Sequence, residues 1–441
     1  MSYQLILKNC HVLDPGQGID RKADIAISDG RIVAIEDSIP EASGTSEASG
    51  TSGASAAQVL DASGDGRYVV PGLIDLHAHV ARGGTTAGVG MGCCDADDIG
   101  IRSGVTTVLD AGSVGIANAG VFPAYILPTA KTRVLFYLNV GTFAHSTKNP
   151  ADVNSLDEID AEGIASCIAS NPGVVSGMKL RLVGPFVAKA GEQVIDAAKE
   201  AARRAAVPLM VHIGDLFATR NPDQEPDLDK RMLAVTEYLL GQLDAGDILT
   251  HLCTPSVGGV GRSGEQLDPL LKAARDRGVI LDSALGMGNF GYQVAREQYD
   301  RGLVPDTISS DLTLGGQSFH SLMECMAKFM AIGYSLADVV RMTTVNAAAA
   351  AGLSEEAGAL AVGRPADITI LDVTEGDFRF TDTRKEAFSG RYGISPVQTV
   401  RAGELIAPRW GTHPWGWLPE TAPAAPAAPA PAAPATTATP A

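Results

Sequence analysis

Apolar runs alternate with amphipathic stretches through the middle of the chain, between residues 68 and 350. The apolar runs are rich in Val, Leu and Ile and have no helical period, which is typical of buried strands in a parallel sheet. Helical stretches such as 191–205 and 229–243 lie between most of them. The eight predicted strands are 68–76, 105–110, 133–140, 174–182, 208–213, 247–251, 278–283 and 306–311. Eight βα units in roughly 280 residues predict an α/β fold, a (β/α)8 TIM barrel. A doubly wound open sheet is the alternative, but no Gly-x-Gly-x-x-Gly follows the first predicted strand.

Short strand-like runs return at both ends of the chain. We therefore expect residues 1–65 and 355–410 to form one small β-sandwich domain, with the barrel of residues 66–354 inserted between them. Residues 41–57 are rich in Ser, Gly, Ala and Thr, and this composition predicts a flexible insert. Residues 419–441 are almost entirely Ala, Pro and Thr, and we expect a disordered tail.

Composition narrows the classes of function. The net charge of -17 over 441 residues argues against nucleic acid or an anionic membrane surface as a partner. No apolar stretch approaches the roughly 18–20 residues of a membrane span, and the N-terminus lacks the pattern of a secretory signal. The six cysteines have no framework spacing, which is typical of free thiols in a reducing compartment. These features together predict a cytoplasmic, enzyme-sized protein.

Metal-binding side chains occur at the ends of the predicted strands. His77 and His79 end the first strand, and residues two apart on a strand point to the same face, where they could hold one metal ion. Two unrelated core histidines are the alternative, but they would bury two polar rings side by side. Four further residues of this kind end later strands: Lys179, His212, His251 and Asp311. All six would lie on the C-terminal face, where barrel active sites are built.

Three segments resemble the amidohydrolase superfamily of metal-dependent hydrolases: Pro-Gly-Leu-Ile-Asp-Leu-His-Ala-His at 71–79, Gly-Val-Thr-Thr-Val-Leu-Asp-Ala-Gly at 104–112, and the strand-ending Asp311. The resemblance covers roughly residues 1–405 and implies two divalent metal ions, zinc or alternatively manganese. It implies that one ion is held by His77, His79 and Asp311, and the other by His212 and His251.

The resemblance also implies that Lys179 is carbamylated by CO2 and bridges the two ions. A free ammonium cannot ligate a cation, whereas a carbamate is an anionic ligand with two oxygens. A strand-end salt bridge and a general base are the alternatives for Lys179. The implied reaction is hydrolysis of an ester or amide by a metal-activated hydroxide, with Asp311 as the catalytic residue that moves the proton to the leaving group.

The substrate is indicated by Arg181 and by four longer segments. Arg181 lies two residues beyond Lys179, so it shares the inward face and could clamp a substrate carboxylate; an ion pair with a neighbouring acid is equally compatible. Segments 83–89, 110–115, 177–182 and 286–290 look like the amidohydrolase/deacetylase branch of the superfamily. This branch implies removal of an acyl group, usually acetyl, from a small carboxylate substrate.

The sequence leaves the roles of four residues of the substrate region undecided. Asn289, predicted to contact substrate, and His145 and Tyr292 are pocket candidates that could equally be ordinary loop residues. Leu285 stands where the branch often has a histidine.

Other functions share parts of this pattern. A cyclic amide hydrolase of the dihydroorotase or hydantoinase type would use the same metals. A nucleobase deaminase of the superfamily normally needs one metal and no bridging lysine, so Lys179 disfavours it. A non-enzymatic binding protein gives no reason for six such residues at strand ends. Barrels of this kind often self-associate, so the resemblance is also compatible with a homo-oligomer.

Overall fold

The structure, a computed structural model, describes residues 3–40, 58–85, 92–147, 152–215, 227–314 and 321–409. The predicted insert at 41–57 and the predicted tail at 419–441 lie outside these residues. The strands are β1 (Leu5–Asp14), β2 (Ile19–Ser28), β3 (Arg31–Glu36), β4 (Gln58–Asp61), β5 (Arg67–Pro71), β6 (Leu73–Ala78), β7 (Val105–Ala111), β8 (Arg133–Asn139), β9 (Val175–Arg181), β10 (Leu209–His212), β11 (Ile248–Thr250), β12 (Ile280–Ala284), β13 (Thr307–Ser309), β14 (Ile368–Thr381), β15 (Ala387–Arg401) and β16 (Glu404–Ile406). The α-helices are α1 (Ala96–Ile99), α2 (Ala161–Ala169), α3 (Pro185–Ala205), α4 (Leu228–Gln242), α5 (Asp268–Asp276), α6 (Tyr292–Asp300), α7 (Leu322–Ile332), α8 (Leu336–Thr343) and α9 (Val345–Ala350). One π-helical turn (Phe122–Ile126) and three short 3-10 turns (Ile101–Ser103, Leu156–Glu158 and Val260–Ser263) complete the helical segments of this part of the chain.

Strands β6 to β13 form one parallel sheet in chain order. The sheet closes on itself where the end of β6 meets the segment after β13. There the Asp311 amide donates to the His77 carbonyl at 2.5 Å, and the His79 amide donates to the Leu312 carbonyl at 3.0 Å. The predicted TIM barrel is thereby confirmed.

The first predicted strand, 68–76, is two strands in two different sheets. Its first half, β5, pairs antiparallel with β14, and its second half, β6, pairs in parallel with β7. The chain passes from one sheet to the other at Gly72, whose amide donates to the Asp367 carbonyl at 2.8 Å. The whole run is apolar because both halves are buried, so periodicity alone does not reveal the division.

The second sheet contains strands from both ends of the chain, in the order β16-β15-β14-β5-β1-β2-β3, with β4 paired to β1. This confirms a small β domain built by the two chain ends. A two-pronged ion pair crosses the junction between them, because Arg67 Nε and Nη2 lie 2.8 and 3.0 Å from the two Asp372 oxygens.

The hairpin of β14 and β15 reaches from this second sheet to the barrel. Its tip contacts the loops that follow β11 and β12. Thr383 Oγ1 donates to the Phe290 carbonyl at 2.7 Å, and Arg384 Nη2 donates to the Pro255 carbonyl at 2.7 Å. The small β domain therefore braces loops at the C-terminal face of the barrel.

The barrel interior is apolar at its base and polar at its C-terminal end. Near the base, Leu109, Tyr137 and Met210 pack together with Ala347 and Ala348 of α9, which closes this end. Polar side chains such as Lys179 and Asp282 lie further along the strands and are almost completely buried. In the described part of the chain, no helix is both long and apolar enough to cross a membrane.

Candidate metal centre

A cavity opens at the C-terminal end of the barrel. The residues that line it are His77, His79, Lys179, Arg181, His212, Met287, Asn289, Asp311 and Thr313. The structure thus brings seven of the eight predicted site residues to one cavity; the eighth, His251, packs directly behind it.

Strand alternation explains why β9 contributes two of these side chains. Met178 and Leu180 face outward into the core shared with the helices, so Lys179 and Arg181 face inward. Lys179 is paired in register with Met210 and Arg181 with His212, which places Arg181 beside the histidine that ends β10.

Three predicted metal ligands form a compact cluster. The ligand atoms of His77, His79 and Asp311 all lie within 4.8 Å of one another. Asp311 Oδ1 is 3.0 Å from His79 Nε2 and 3.5 Å from His77 Nε2. Two imidazoles and a carboxylate converging on one point are a donor set that suits a divalent transition metal.

His251 presents a free nitrogen to the same space. Its Nδ1 donates to the Ala284 carbonyl at 2.9 Å, so its Nε2 carries the lone pair. That Nε2 is buried and has no hydrogen-bond partner among the described residues, and it lies 3.9 Å from Asp311 Oδ2. A buried acceptor without a donor is costly, and a metal ion would satisfy it.

His212 packs edge-on against His251, with 4.2 Å between the ring centroids. Its Nε2 lies 3.0 Å from the Gly214 carbonyl, which can only accept, so its Nδ1 is the nitrogen left for a ligand. The five predicted histidine and aspartate ligands therefore fit a metal centre.

Burial keeps the imidazoles of His77, His212 and His251 neutral. Loss of solvation lowers the pKa of His77 and His212 well below the ordinary value and that of His251 to about 4. Nearby positive charge, including that of Lys179, lowers the pKa of all three further. Burial alone would raise the pKa of Asp311, but the neighbouring groups His79, His251 and Lys179 lower it. Neutral imidazoles and an ionised carboxylate are the forms that bind metals.

Lys179 lies among these ligands and is only 1% exposed. Its Nζ is 3.2 Å from His77 Nε2 and 3.3 Å from Met210 Sδ, and no described carboxylate lies within ion-pair distance of it. Burial lowers its pKa to about 7. Gly112 makes room for this side chain, because a Cβ there would lie 2.5 Å from Lys179 Cβ.

Arg181 forms the ion pair with a neighbouring acid that its position in the sequence left open, and it also lines the cavity. Its guanidinium lines the cavity, and its Nη1 donates to Asp152 Oδ1 and to His145 Nε2, both at 3.1 Å. Asp152 is in turn held by Asn139, whose Nδ2 donates to the other carboxylate oxygen at 2.9 Å. The sequence reasoning missed Asp152 because it follows no apolar strand and no metal-ligand spacing.

Of the remaining candidate residues Asn289, Tyr292 and Leu285, only Asn289 is in the cavity lining. Asn289 lines the cavity, with its Nδ2 3.4 Å from Asp311 Oδ2. Tyr292 begins α6 and stacks on Phe388 at 4.1 Å, and it is not part of the cavity lining. Leu285 is fully buried, whereas Met287 is half exposed and does line the cavity.

Residues 68–406 match the amidohydrolase family, and the chain belongs to that family. Its members are in general metal-dependent hydrolases of small molecules, so the protein is a hydrolytic enzyme. Among its relatives is a deacetylase of Brucella anthropi, 30% identical over 359 residues that make up 79% of this chain and 84% of the relative. A deacetylase of Agrobacterium fabrum is 29% identical over 413 residues, 91% of this chain and 93% of the relative.

Solved structures of the same architecture include two other kinds of enzyme. The crystal structure of a dihydroorotase superposes with a TM-score of 0.76 at 27% identity, covering 92% of this chain and 98% of the other. An adenine deaminase superposes with a TM-score of 0.75 at 24% identity, covering 92% of this chain and all of the other, and this similarity shows the fold alone.

Proposed function

We propose that the protein is a binuclear metal-dependent deacetylase that hydrolyses the acyl ester or amide of a small carboxylate. The observation that carries this proposal is the position of Arg181, a nearly buried guanidinium that lines the same cavity as the ligand cluster. The names of the relatives from Brucella anthropi and Agrobacterium fabrum support the acetyl group as the part that is removed.

Two divalent ions, most simply zinc, would be held by residues already in place. His77, His79 and Asp311 would hold one ion, and His212 and His251 the other. Lys179, carbamylated by CO2, would bridge them, since its Nζ lies beside His77 and has no carboxylate partner among the described residues. Such ions lower the pKa of a water molecule and polarise an acyl carbonyl.

The protein's own groups would orient the substrate and move the proton. Arg181 would bind the substrate carboxylate through N–H groups other than those that hold Asp152 and His145. Asp311 would accept a proton at a carboxylate oxygen and deliver it to the leaving group. Asn289, which contacts Asp311 Oδ2, would orient that carboxylate or contact the substrate.

A cyclic amide hydrolase is the second candidate function, favoured by the similarity to a dihydroorotase structure over 92% of this chain. The two candidates differ in the bond that is cut. A deacetylase releases acetate from an open chain, whereas a cyclic amide hydrolase opens a ring and releases no second product.

The test is a substrate screen with purified, zinc-loaded protein. The panel contains N-acetyl D- and L-amino acids, acetylated hydroxy acids and cyclic amides, and the readouts are acetate release and ring opening. We expect acetate release from at least one acetylated carboxylate. Replacing its carboxylate by a carboxamide should lower kcat/KM by about 100-fold or more, because Arg181 would lose its partner.

An Arg181→Lys variant provides the matched control. We expect it to lose the preference for the carboxylate over the carboxamide, since an ammonium does not reproduce the two-pronged contact. Activity confined to the cyclic amides would contradict the deacetylase proposal and support the second candidate.

A further inference from the structure

His77 and His79 share an arrangement that the other site histidines lack. The Nδ1 of each ring contacts a side-chain hydroxyl, and that hydroxyl contacts a buried carboxylate. His251 and His212 contact backbone carbonyls instead. The two hydroxyl–carboxylate pairs share no residue, so each histidine has a pair of its own.

The first pair is Thr250 and Asp282. Thr250 Oγ1 lies 3.0 Å from His77 Nδ1 and 2.6 Å from Asp282 Oδ2. Asp282 also accepts hydrogen bonds from Thr307 Oγ1 at 2.7 Å and from Ser309 Oγ at 2.8 Å. Asp282 is fully buried and reaches His77 itself only at 3.9 Å, so it acts on the imidazole through Thr250.

The second pair is Ser113 and Asp110. Ser113 Oγ lies 2.8 Å from His79 Nδ1 and 2.8 Å from Asp110 Oδ2. Asp110 also accepts from the backbone amides of Val80, Ala81 and Ser113, at 2.7, 3.1 and 2.8 Å. The oxygens of Asp110 therefore act as acceptors toward all of these groups.

The number of hydrogens decides the tautomer of each ring. Thr250 donates to Asp282 and Ser113 donates to Asp110, and a hydroxyl has only one hydrogen to give. Their lone pairs are then left for His77 and His79, which must carry the hydrogen on Nδ1. In both rings the lone pair is therefore on Nε2.

Those two Nε2 atoms face Asp311 Oδ1, at 3.5 Å for His77 and 3.0 Å for His79. With the hydrogens on Nδ1, both rings direct their Nε2 lone pairs at a carboxylate oxygen. Such an arrangement is repulsive until a cation enters between the atoms. The two hydroxyl–carboxylate pairs thus act as relays that prepare the ligands for a metal ion.

We propose that Thr250 with Asp282, and Ser113 with Asp110, are positioning residues that fix the metal-binding tautomers of His77 and His79. The inference rests on the metal site of the proposed function. It gives a role to four buried polar residues that are not themselves predicted metal ligands. Neither Thr250 nor Ser113 is itself part of the cavity lining. Their effect is therefore on metal affinity first and on turnover through it.

The experiment measures zinc affinity rather than activity alone. Metal-free wild-type protein and variants compete with a chromophoric chelator for Zn²⁺, and the thermal unfolding of each metal-free protein is recorded separately. Thr250→Val keeps the shape of the side chain and removes the hydroxyl. We expect it to raise the zinc dissociation constant about 10- to 100-fold, as is usual for residues that orient metal ligands. Thr250→Ser, which keeps the hydroxyl, should restore affinity.

Thr307→Val is the matched control. It removes a hydroxyl from the same Asp282 carboxylate but touches no ligand, so the zinc affinity should stay close to wild type. If Thr307→Val lowers the zinc affinity as much as Thr250→Val does, the loss comes from the disturbed Asp282 carboxylate alone. The proposed relay through Thr250 is then wrong. Ser113→Ala tests the second relay and covers the case in which Thr250→Val does not fold.

Wild-type affinity in both Thr250→Val and Ser113→Ala would overturn the proposal while leaving the metal site intact. If the wild-type protein itself binds no zinc, the metal site of the proposed function has failed instead. The two failures are thus distinguishable in one titration series.

Discussion

At the scale of single residues, Lys179 is the most unusual member of the site. A lysine buried to this degree is normally paired with a carboxylate, yet its neighbours here are a histidine nitrogen and a thioether sulfur. An unmodified ammonium at this point would repel a metal ion held by His77. A carbamate at the same nitrogen would instead add two ligand oxygens, and this is why metal content is the property to measure.

We predict that Lys179→Ala lowers bound metal from the proposed two ions per chain to one or fewer, with loss of nearly all hydrolysis. The proposed bridging ligand would be gone, while His77, His79 and Asp311 remain. Zinc per chain is measured by elemental analysis after gel filtration. In wild-type protein, reloading of the metal-free form should be faster with added bicarbonate than in CO2-free buffer.

Lys131→Ala is the control for that experiment, because Lys131 is an exposed surface lysine paired with Glu404. It should bind metal like the wild type. Two metal ions and full activity in Lys179→Ala would show that no carbamate bridge exists.

At the scale of elements, the apolar runs located the barrel strands to within a few residues. The run 133–140 is β8 (Arg133–Asn139), and 278–283 overlaps β12 (Ile280–Ala284). Burial on both faces makes such strands continuous in sequence, and their C-terminal ends then indicate where the site lies. This is why Lys179 and Asp311 could be placed at the site before any contact was known.

The sequence could not show which side chains become hydrogen-bond partners only through the tertiary fold. Asp152 reaches Arg181 from a segment with no strand pattern, and Asp282 reaches His77 only through Thr250 on a neighbouring strand. The division of 68–76 at Gly72 is hidden for the same reason, since it depends on which strand lies alongside each half. Local periodicity carries no information on such pairings.

The β14–β15 hairpin is an element whose role likewise follows only from the fold. Thr383 at its tip holds the Phe290 backbone on both sides, accepting from the amide at 3.2 Å and donating to the carbonyl at 2.7 Å. Phe290 directly follows Asn289 of the cavity. We predict that Thr383→Val raises KM several-fold with a smaller change in kcat, because the loop carrying Asn289 loses its brace.

Steady-state kinetics on the best substrate of the screen measure this effect. Thr383→Ser keeps the hydroxyl and should behave like wild type. An unchanged KM in Thr383→Val would mean that the backbone contact between Thr383 N and the Phe290 carbonyl, at 3.0 Å, is sufficient to hold the loop.

At the scale of the whole molecule, stability depends on a second sheet that neither end of the chain can form alone. Strands β1 and β2 from the N-terminus share this sheet with β14 to β16 from the C-terminus. Within it, the buried carboxylate of Asp24 on β2 accepts hydrogen bonds from Lys8 Nζ on β1 and from the backbone amides of Asn9 and Ile39, both at 2.8 Å. The sheet therefore contains a buried charge whose partners come from two other segments, β1 and the residues after β3.

This charge makes stability depend on pH in a predictable direction. Burial alone would raise the pKa of Asp24, but the Lys8 hydrogen bond and the two amides together lower it below its ordinary value. The unfolded chain, with a pKa near ~3.9, therefore binds the proton more readily than the folded protein. The contribution of Asp24 is fully present above about pH 5 and is lost as the pH falls through the folded pKa.

We predict that Asp24→Asn lowers the free energy of unfolding by about 1–3 kcal/mol at pH 7, since charged hydrogen bonds are replaced by neutral ones. The difference from wild type should shrink as the pH approaches 3, because the unfolded wild-type chain then takes up a proton at Asp24. Urea unfolding at pH 7, 5 and 3 measures both values. Asp20→Asn, at an exposed carboxylate of the same strand, should change stability by less than about 0.5 kcal/mol at any of these pH values. A difference between Asp24→Asn and wild type that is equally large at pH 3 would mean that shape, and not charge, is what Asp24 contributes to the sheet.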